Sequence, residues 1–223
     1  MSGGSGKRLA ESLRGADVTG IVLAGGRARR YGADKLAEPI AHGTLLGRAI
    51  DAVSVVAAEI VVVGAPRALP ESPGVPIRLV SDPEPFGGPL QALAGALAAT
   101  GTPLAIVVAG DMPSLVPEVL ALLVHTLIAT ADADAAILVD PGDPLRRQPV
   151  PLAIRTGSAL AVARASLDAG DRSLVRLLGR LRVVEIAAET WLRLDPEAQT
   201  LVDIDLPDDL RRARAVARDQ RMR

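Results

Sequence analysis

The chain has 223 residues, 49% of them apolar, enough for one domain with a sizeable core. Its 25 Lys and Arg nearly cancel 26 Asp and Glu, so the net charge of -1 excludes an overall field for nucleic acid or an anionic membrane; any anion site must be local. Cysteine is absent, which removes disulfides, thiolate nucleophiles and cysteine-ligated metals, and the only histidines, His42 and His125, lie far apart and read as structural or exposed.

The opening MSGGSGKRLAESLRGAD is charged and has no apolar segment of the kind an export signal needs. Residues 1–16 therefore read as a mobile, polar lead-in to one domain over 17–218, with 219–223 as a tail, and the expected compartment is the cytoplasm. Aliphatic runs too short for helices occupy 18–24, 60–63, 77–80, 104–109 and 135–139, the pattern of strands covered on both faces. Helical spacing appears between them. Leu46, Ile50, Val53 and Ala57 form one stripe; Leu120, Leu123, Leu127 and Ile128 form another, in a helix expected to start near Pro113.

No residue from Phe86 to Gly110 is charged, yet Thr100-Gly-Thr-Pro103 divides the stretch into an Ala/Leu helix and a short buried strand, which argues against a membrane span. Beyond Val139 the turn-rich DPGDPLRRQPVP leads to a further, antiparallel strand at 150–154. Helices follow at 158–169 and 173–181, a strand at 182–186, and a final helix after Pro207. That helix has Asp208 and Asp209 at its positive end and Arg211, Arg212, Arg214 and Arg218 further along. Strands alternating with helices predict an α/β fold: a Rossmann-like, three-layer α/β/α architecture around a mostly parallel mixed sheet.

Ligands of such sheets gather beyond the carboxyl ends of the strands. There GIVLAGGRARRYGADKL, 20–36, empties an apolar strand into glycines and cations. Gly25 and Gly26 let a ligand approach the backbone, and Arg30 and Lys35 can neutralise a polyphosphate, whereas Arg27 and Arg29 read as solvated or as long-range attractors for an anionic substrate. The spacing is neither that of a P-loop nor the Gly-x-Gly-x-x-Gly of dinucleotide folds. In VVAGDMPSL, 107–115, Asp111 stands between a strand and a helix, suited to hold Mg²⁺ or to cap the helix. LVSDP adds Asp82, and LVDIDLPDDL adds Asp203 and Asp205, so carboxylates at three strand ends are expected to face the cationic loop.

LAGGRARRYGADK, 23–35, resembles the Leu-Ala-Gly-Gly-x-Ser-x-Arg-Met-Gly-x-Asp-Lys motif of the molybdenum cofactor guanylyltransferases, the MobA-like branch of the nucleotidyltransferases. GGPLQAL at 87–93 is similar to that family's Gly-Pro-Leu-Ala-Gly segment, GDMP at 110–113 to its Asp-x-Pro, and DIDLPDDL at 203–210 to its Asn-x-Asn-Thr-Pro-Glu-Asp-Leu. The resemblance implies a nucleotide-diphosphosugar-transferase fold and transfer of GMP from Mg²⁺-bound GTP to the phosphate of molybdopterin-bound molybdenum cofactor, releasing pyrophosphate. Residue by residue, it implies Leu23, Ala24 and Gly25 beside the guanine, with Gly26 in the same loop, and Arg30 and Lys35 on the phosphates. It further implies Asp111 on the metal with help from Asp205, Asp82 in the nucleotide pocket, and Gly88, Pro89 and Leu90 lining it. Lys35, Arg30 and Asp111 are the implied catalytic residues.

Mg²⁺ is the implied cofactor, and GTP and molybdopterin the implied partners, without nucleic acid or membrane; a monomer, and transient contact with proteins that deliver or accept the cofactor, stay open. The sequence departs from the family pattern at Ala28, Tyr31, Gln91, Ala92, Val150 and Leu206. Asp203 and Asp205 replace asparagines and are similar to the DIDxP of molybdenum cofactor cytidylyltransferases, whereas Gly25-Gly26 differs from their Leu-Ala-Ala-Gly. Cytidylyl transfer and sugar-1-phosphate nucleotidyl transfer are the alternative reactions, and nucleotide binding without catalysis is the reading from another class.

Overall fold

A computed structural model describes residues 17–25, 34–40, 43–70, 74–81 and 87–219. The aliphatic runs form strands, joined by less regular pieces, in the order β1 (Val18–Leu23), a short hairpin β2 (Pro39–Ile40) and β3 (Gly43–Thr44), β4 (Glu59–Gly64), β5 (Ile77–Ser81), β6 (Leu104–Ala109), β7 (Ala135–Val139), β8 (Arg147–Arg155) and β9 (Val183–Ile186). The helices are α1 (Leu45–Ser54), α2 (Pro89–Ala99), α3 (Pro117–Ala129), α4 (Thr156–Asp168), α5 (Leu174–Leu178), α6 (Ala188–Trp191) and α7 (Pro207–Asp219).

The main sheet has seven strands in the order β5-β4-β1-β6-β8-β7-β9, and only β8 runs against its neighbours. It is the mostly parallel mixed sheet that the alternation predicts. Side chains alternate across it: Val22, Ile60, Val62, Ile106 and Val108 face α1 and α3, whereas Ile21, Val61, Val63, Ala105 and Val107 face α2, α4 and α5. Each Val or Ile side chain so buried stabilises by about 1.5–3 kcal/mol, which is why the inner strands read as apolar runs. Gly20 lets α1 lie close on β1, since a Cβ there would come within 2.2 Å of Val53 Cγ1.

Several sequence expectations need correction. The helix expected near Pro113 begins at Pro117, because Val116 is extended, as a residue before proline prefers to be. Asp111 therefore does not cap it. Ile128 lies off the buried stripe and is exposed, while Leu120, Leu123 and Leu127 are buried. The helix expected over 173–181 is only the short α5, started by a Ser173 cap and stopped at Gly179. Asp203 and Asp205 do not end a strand of the sheet; they follow a 3₁₀ turn, Gln199–Leu201. No described helix is long and apolar enough to cross a membrane.

At the opposite edge from the strands' carboxyl ends, Asp134 accepts two hydrogen bonds from the Arg182 guanidinium, at 3.0 and 3.1 Å, and one from the Arg182 amide. The guanidinium bonds chiefly pull the Asp134 carboxyl from its ordinary 3.8 down to about 2. Because the folded value is depressed, the stability it contributes is present above the unfolded value and lost as pH falls from about 4 towards 2. Thermal unfolding across that window should therefore show a steeper loss of Tm in the wild type than in Asp134→Asn. Equal slopes would contradict this account of the pair.

Candidate active site

The site is built where β1, β4 and β6 end. The Gly110 amide donates to Leu23 O at 3.0 Å and the Ala24 amide to Val63 O at 2.7 Å, so three strand ends are locked in register. Gly64 permits this approach, since a Cβ there would stand 2.6 Å from Ala24 O. Gly25 is exposed just beyond.

Lys35 opens a 3₁₀ turn, Lys35–Ala37, whose cap Asp34 accepts the Leu36 amide at 3.2 Å. The Lys35 ammonium donates to Asp111 Oδ2 at 2.8 Å and to Ile204 O, and lies 3.9 Å from Asp205 Oδ1. Residues 35, 111 and 205, far apart in sequence, thus meet at one cation. Lys35 and Asp111 are largely shielded, with side chains 16% and 24% exposed, whereas Asp205 is 70% exposed.

The Asp111 turn is held from several sides. The Ile204 amide donates to Asp111 O at 3.0 Å, Arg48 Nε donates to Pro113 O at 3.0 Å, and the Val116 amide donates to Thr200 Oγ1 at 3.2 Å. Ile204 itself is anchored in a small core with Ile40, Leu45 and Leu210, which fixes where its neighbours Asp203 and Asp205 emerge. Asp209, in the first turn of α7, reaches back and accepts the amides of Asp205 and Leu206 at 3.2 and 2.8 Å. Arg214 ties α7 to the Lys35 turn's exit through Glu38 Oε2 and Pro39 O.

Asp203 is pushed above its ordinary carboxylate value. The cause is first the chain that shields its carboxyl, although much of the residue stays exposed, and then repulsion from Asp205 and Asp111, with Lys35 opposing. One ammonium faces three carboxylates, a local excess of negative charge that favours a further cation. Among the described residues no group of three or more His, Cys, Asp or Glu is gathered as a complete metal site.

Gly88, Pro89 and Leu90 form the start of α2. Gly88 has φ of 93°, where a side chain is strained, and Pro89 takes the first turn. Leu90 is fully buried and anchors the start of the helix in the core. Gln91, a departure from the motif, accepts from Arg172 at 3.0 Å. Gly26, Arg27, Arg29, Arg30, His42 and Asp82 lie outside the described residues. His125 is part of α3. Arg48, Thr200 and Ile204 do not stand out in the sequence, because each acts through main-chain contacts that no motif encodes, and Arg67 acts through Ala24 O and the Asp34 carboxylate.

The fold is matched by a solved structure of molybdopterin-guanine dinucleotide biosynthesis protein A from Archaeoglobus fulgidus, with a TM-score of 0.71 at 24% identity, covering 90% of this chain and 99% of that one. The 2-C-methyl-D-erythritol 4-phosphate cytidylyltransferase of Thermus thermophilus matches at 0.63 and 20% identity, over 89% and 98% of the two chains. In sequence, residues 20–184 match the MobA-like NTP transferase domain. The chain belongs to the MobA-like NTP transferase family.

Relatives in this family include a "Probable molybdenum cofactor guanylyltransferase" of Chloroflexus aggregans, 36% identical over 202 residues, covering 89% of this chain and 94% of the relative. The molybdenum cofactor guanylyltransferase of Cupriavidus taiwanensis is 31% identical over 201 residues, covering 87% and 95%. The family match ends inside β9, at residue 184. In this MobA-like transferase the later segment still enters the site, because Ile204 bonds both Asp111 and Lys35.

Proposed function

We propose that this chain transfers GMP from GTP to the terminal phosphate of molybdopterin in the molybdenum cofactor, releasing pyrophosphate. The observation that carries the reading is the Lys35–Asp111–Asp205 constellation at the carboxyl ends of β1 and β6. The relatives' names supply the guanine and the acceptor.

An acceptor phosphate oxygen attacks the α-phosphorus, a P–O bond forms, and the bond from the α-phosphorus to the oxygen bridging to the β-phosphate breaks. The acceptor is already an anion and needs no strong base, so the work is to bring two anions together and stabilise the leaving charge. Lys35 lies at the phosphates and moves from Asp111 to the leaving oxygens. Leu23, Ala24 and Gly25 lie beside the guanine, and Gly88, Pro89 and Leu90 bring the start of α2 to line the nucleotide pocket. Gly26, Arg30 and Asp82, outside the described residues, complete the same assignment.

Asp111 and Asp205 offer hard carboxylate oxygens and an incomplete shell, a donor set that fits Mg²⁺, which keeps water and shares substrate phosphates. Bound there, the metal supplies charge that offsets the triphosphate.

Cytidylyl transfer is the second reading, favoured by Asp203 and Asp205 and by the shared fold of the Thermus enzyme. Pyrophosphate release measured with each of the four nucleoside triphosphates, with molybdopterin as acceptor, separates the two. Preference for GTP is expected; preference for CTP overturns the guanine assignment.

A further inference from the structure

Arg67 lies three residues beyond β4, at the same sheet edge as the site, with a side chain only 14% exposed. Its guanidinium donates to Ala24 O at 3.0 Å and to Asp34 Oδ1 at 3.2 Å, and its Nε to Ala65 O at 3.4 Å. The two main partners lie at opposite ends of the signature loop. Ala24 is the last buried residue after β1, and Asp34 caps the turn that carries Lys35.

The geometry points to Arg67 as the positioning residue for nucleotide binding: by holding Ala24 O and Asp34 together it sets the backbone beside the base and the Lys35 turn in one preformed arrangement. This rests on the nucleotide-site reading above. A rigid, forked guanidinium can span two acceptors in this way, whereas a lysine ammonium in its place reaches one of them well. Arg67 touches neither Lys35 nor Asp111 in the contacts described, so it acts on the chemistry through Asp34 and the main chain.

Its loss leaves the catalytic groups present but the arrangement less populated, and a nucleotide that binds only the competent arrangement then binds more weakly in proportion. Arg67→Ala should raise the KM for the nucleoside triphosphate about tenfold to a hundredfold, the range for losing hydrogen bonds made by a charged group, with kcat within about threefold of wild type. Arg67→Lys should recover part of the loss. Asp34→Asn, which keeps the acceptor but removes its charge, should raise KM by less, and Arg67→Ala with Asp34→Asn should cost less than the product of the two single effects, because both weaken one shared contact.

Hydrogen exchange of the Leu36 and Ala37 amides in nucleotide-free protein provides a readout that does not need turnover. Faster exchange in Arg67→Ala is expected, and it stands even where the nucleotide reading fails. Wild-type protein inert towards every nucleotide would overturn that reading while leaving the exchange result to judge Arg67. Unchanged KM together with unchanged exchange overturns the positioning role. So does a fall in kcat at constant KM, the signature of lost folded protein.

Discussion

Lys35→Ala is expected to lower nucleotidyl transfer by about a hundredfold or more, the typical worth of one preorganised donor aimed at developing charge. Lys35 is placed for this by a short chain of causes. Asp34 caps its turn, the Ile204 carbonyl receives one of its protons, and Asp111 receives another at 2.8 Å. The fold should persist. The two cores on the faces of the sheet do not include Lys35, and losing its bond to Ile204 O costs only about 1–3 kcal/mol. A second consequence separates a functional lysine from a structural one. The ammonium now offsets part of the charge of Asp111, Asp203 and Asp205. With it removed, those carboxylates should bind Mn²⁺ more tightly in the nucleotide-free protein, even as turnover falls. Near-normal kcat with unchanged Mn²⁺ affinity would contradict the assignment.

Asp111→Asn is expected to cost at least as much, about a hundredfold or more in kcat/KM, because it removes charge from the best shielded carboxylate of the group. The substitution keeps side-chain volume, and the bond from the Ile204 amide goes to the Asp111 backbone, so the turn has no reason to collapse. Asp205→Asn should cost less, since its carboxyl is 70% exposed and stands 3.9 Å from Lys35 Nζ. Steady-state rates over a Mg²⁺ titration measure both variants. Equal, small effects at the two positions would contradict Asp111 as the principal ligand.

The sheet is legible in the sequence because inner strands buried on both faces must be continuously apolar: β6 and β7 match the aliphatic runs residue for residue. β8 reads short, starting at 150 rather than 147, because its first residues, Arg147 and Gln148, are polar and lie at the sheet's edge. The Lys35 and Asp111 pairing is legible as a motif but not as a contact, since 76 residues separate them.

What stays hidden has a common cause. Ile204 holds the site through its backbone amide and carbonyl, Thr200 through a hydroxyl bonded to an amide, and Arg67 through Ala24 O. Main-chain partners leave no trace in residue type. The same applies to Trp191, whose burial against the sheet and bond to Val139 O at 3.0 Å cannot be inferred from a lone tryptophan after β9. The aspartates of 203–205 read as a strand end because DIDL alternates. In the fold that segment answers to Asp111 and Lys35 rather than to a neighbouring strand.

Guanylyl transfer to molybdopterin is measured by incubating the purified protein with GTP, Mg²⁺ and molybdopterin-bound molybdenum cofactor and following the dinucleotide product and pyrophosphate together. Molybdopterin guanine dinucleotide and pyrophosphate are expected in equal amounts, with CTP a poor substitute. Tight GTP binding with neither product formed, or a faster reaction with CTP, would contradict guanylyl transfer.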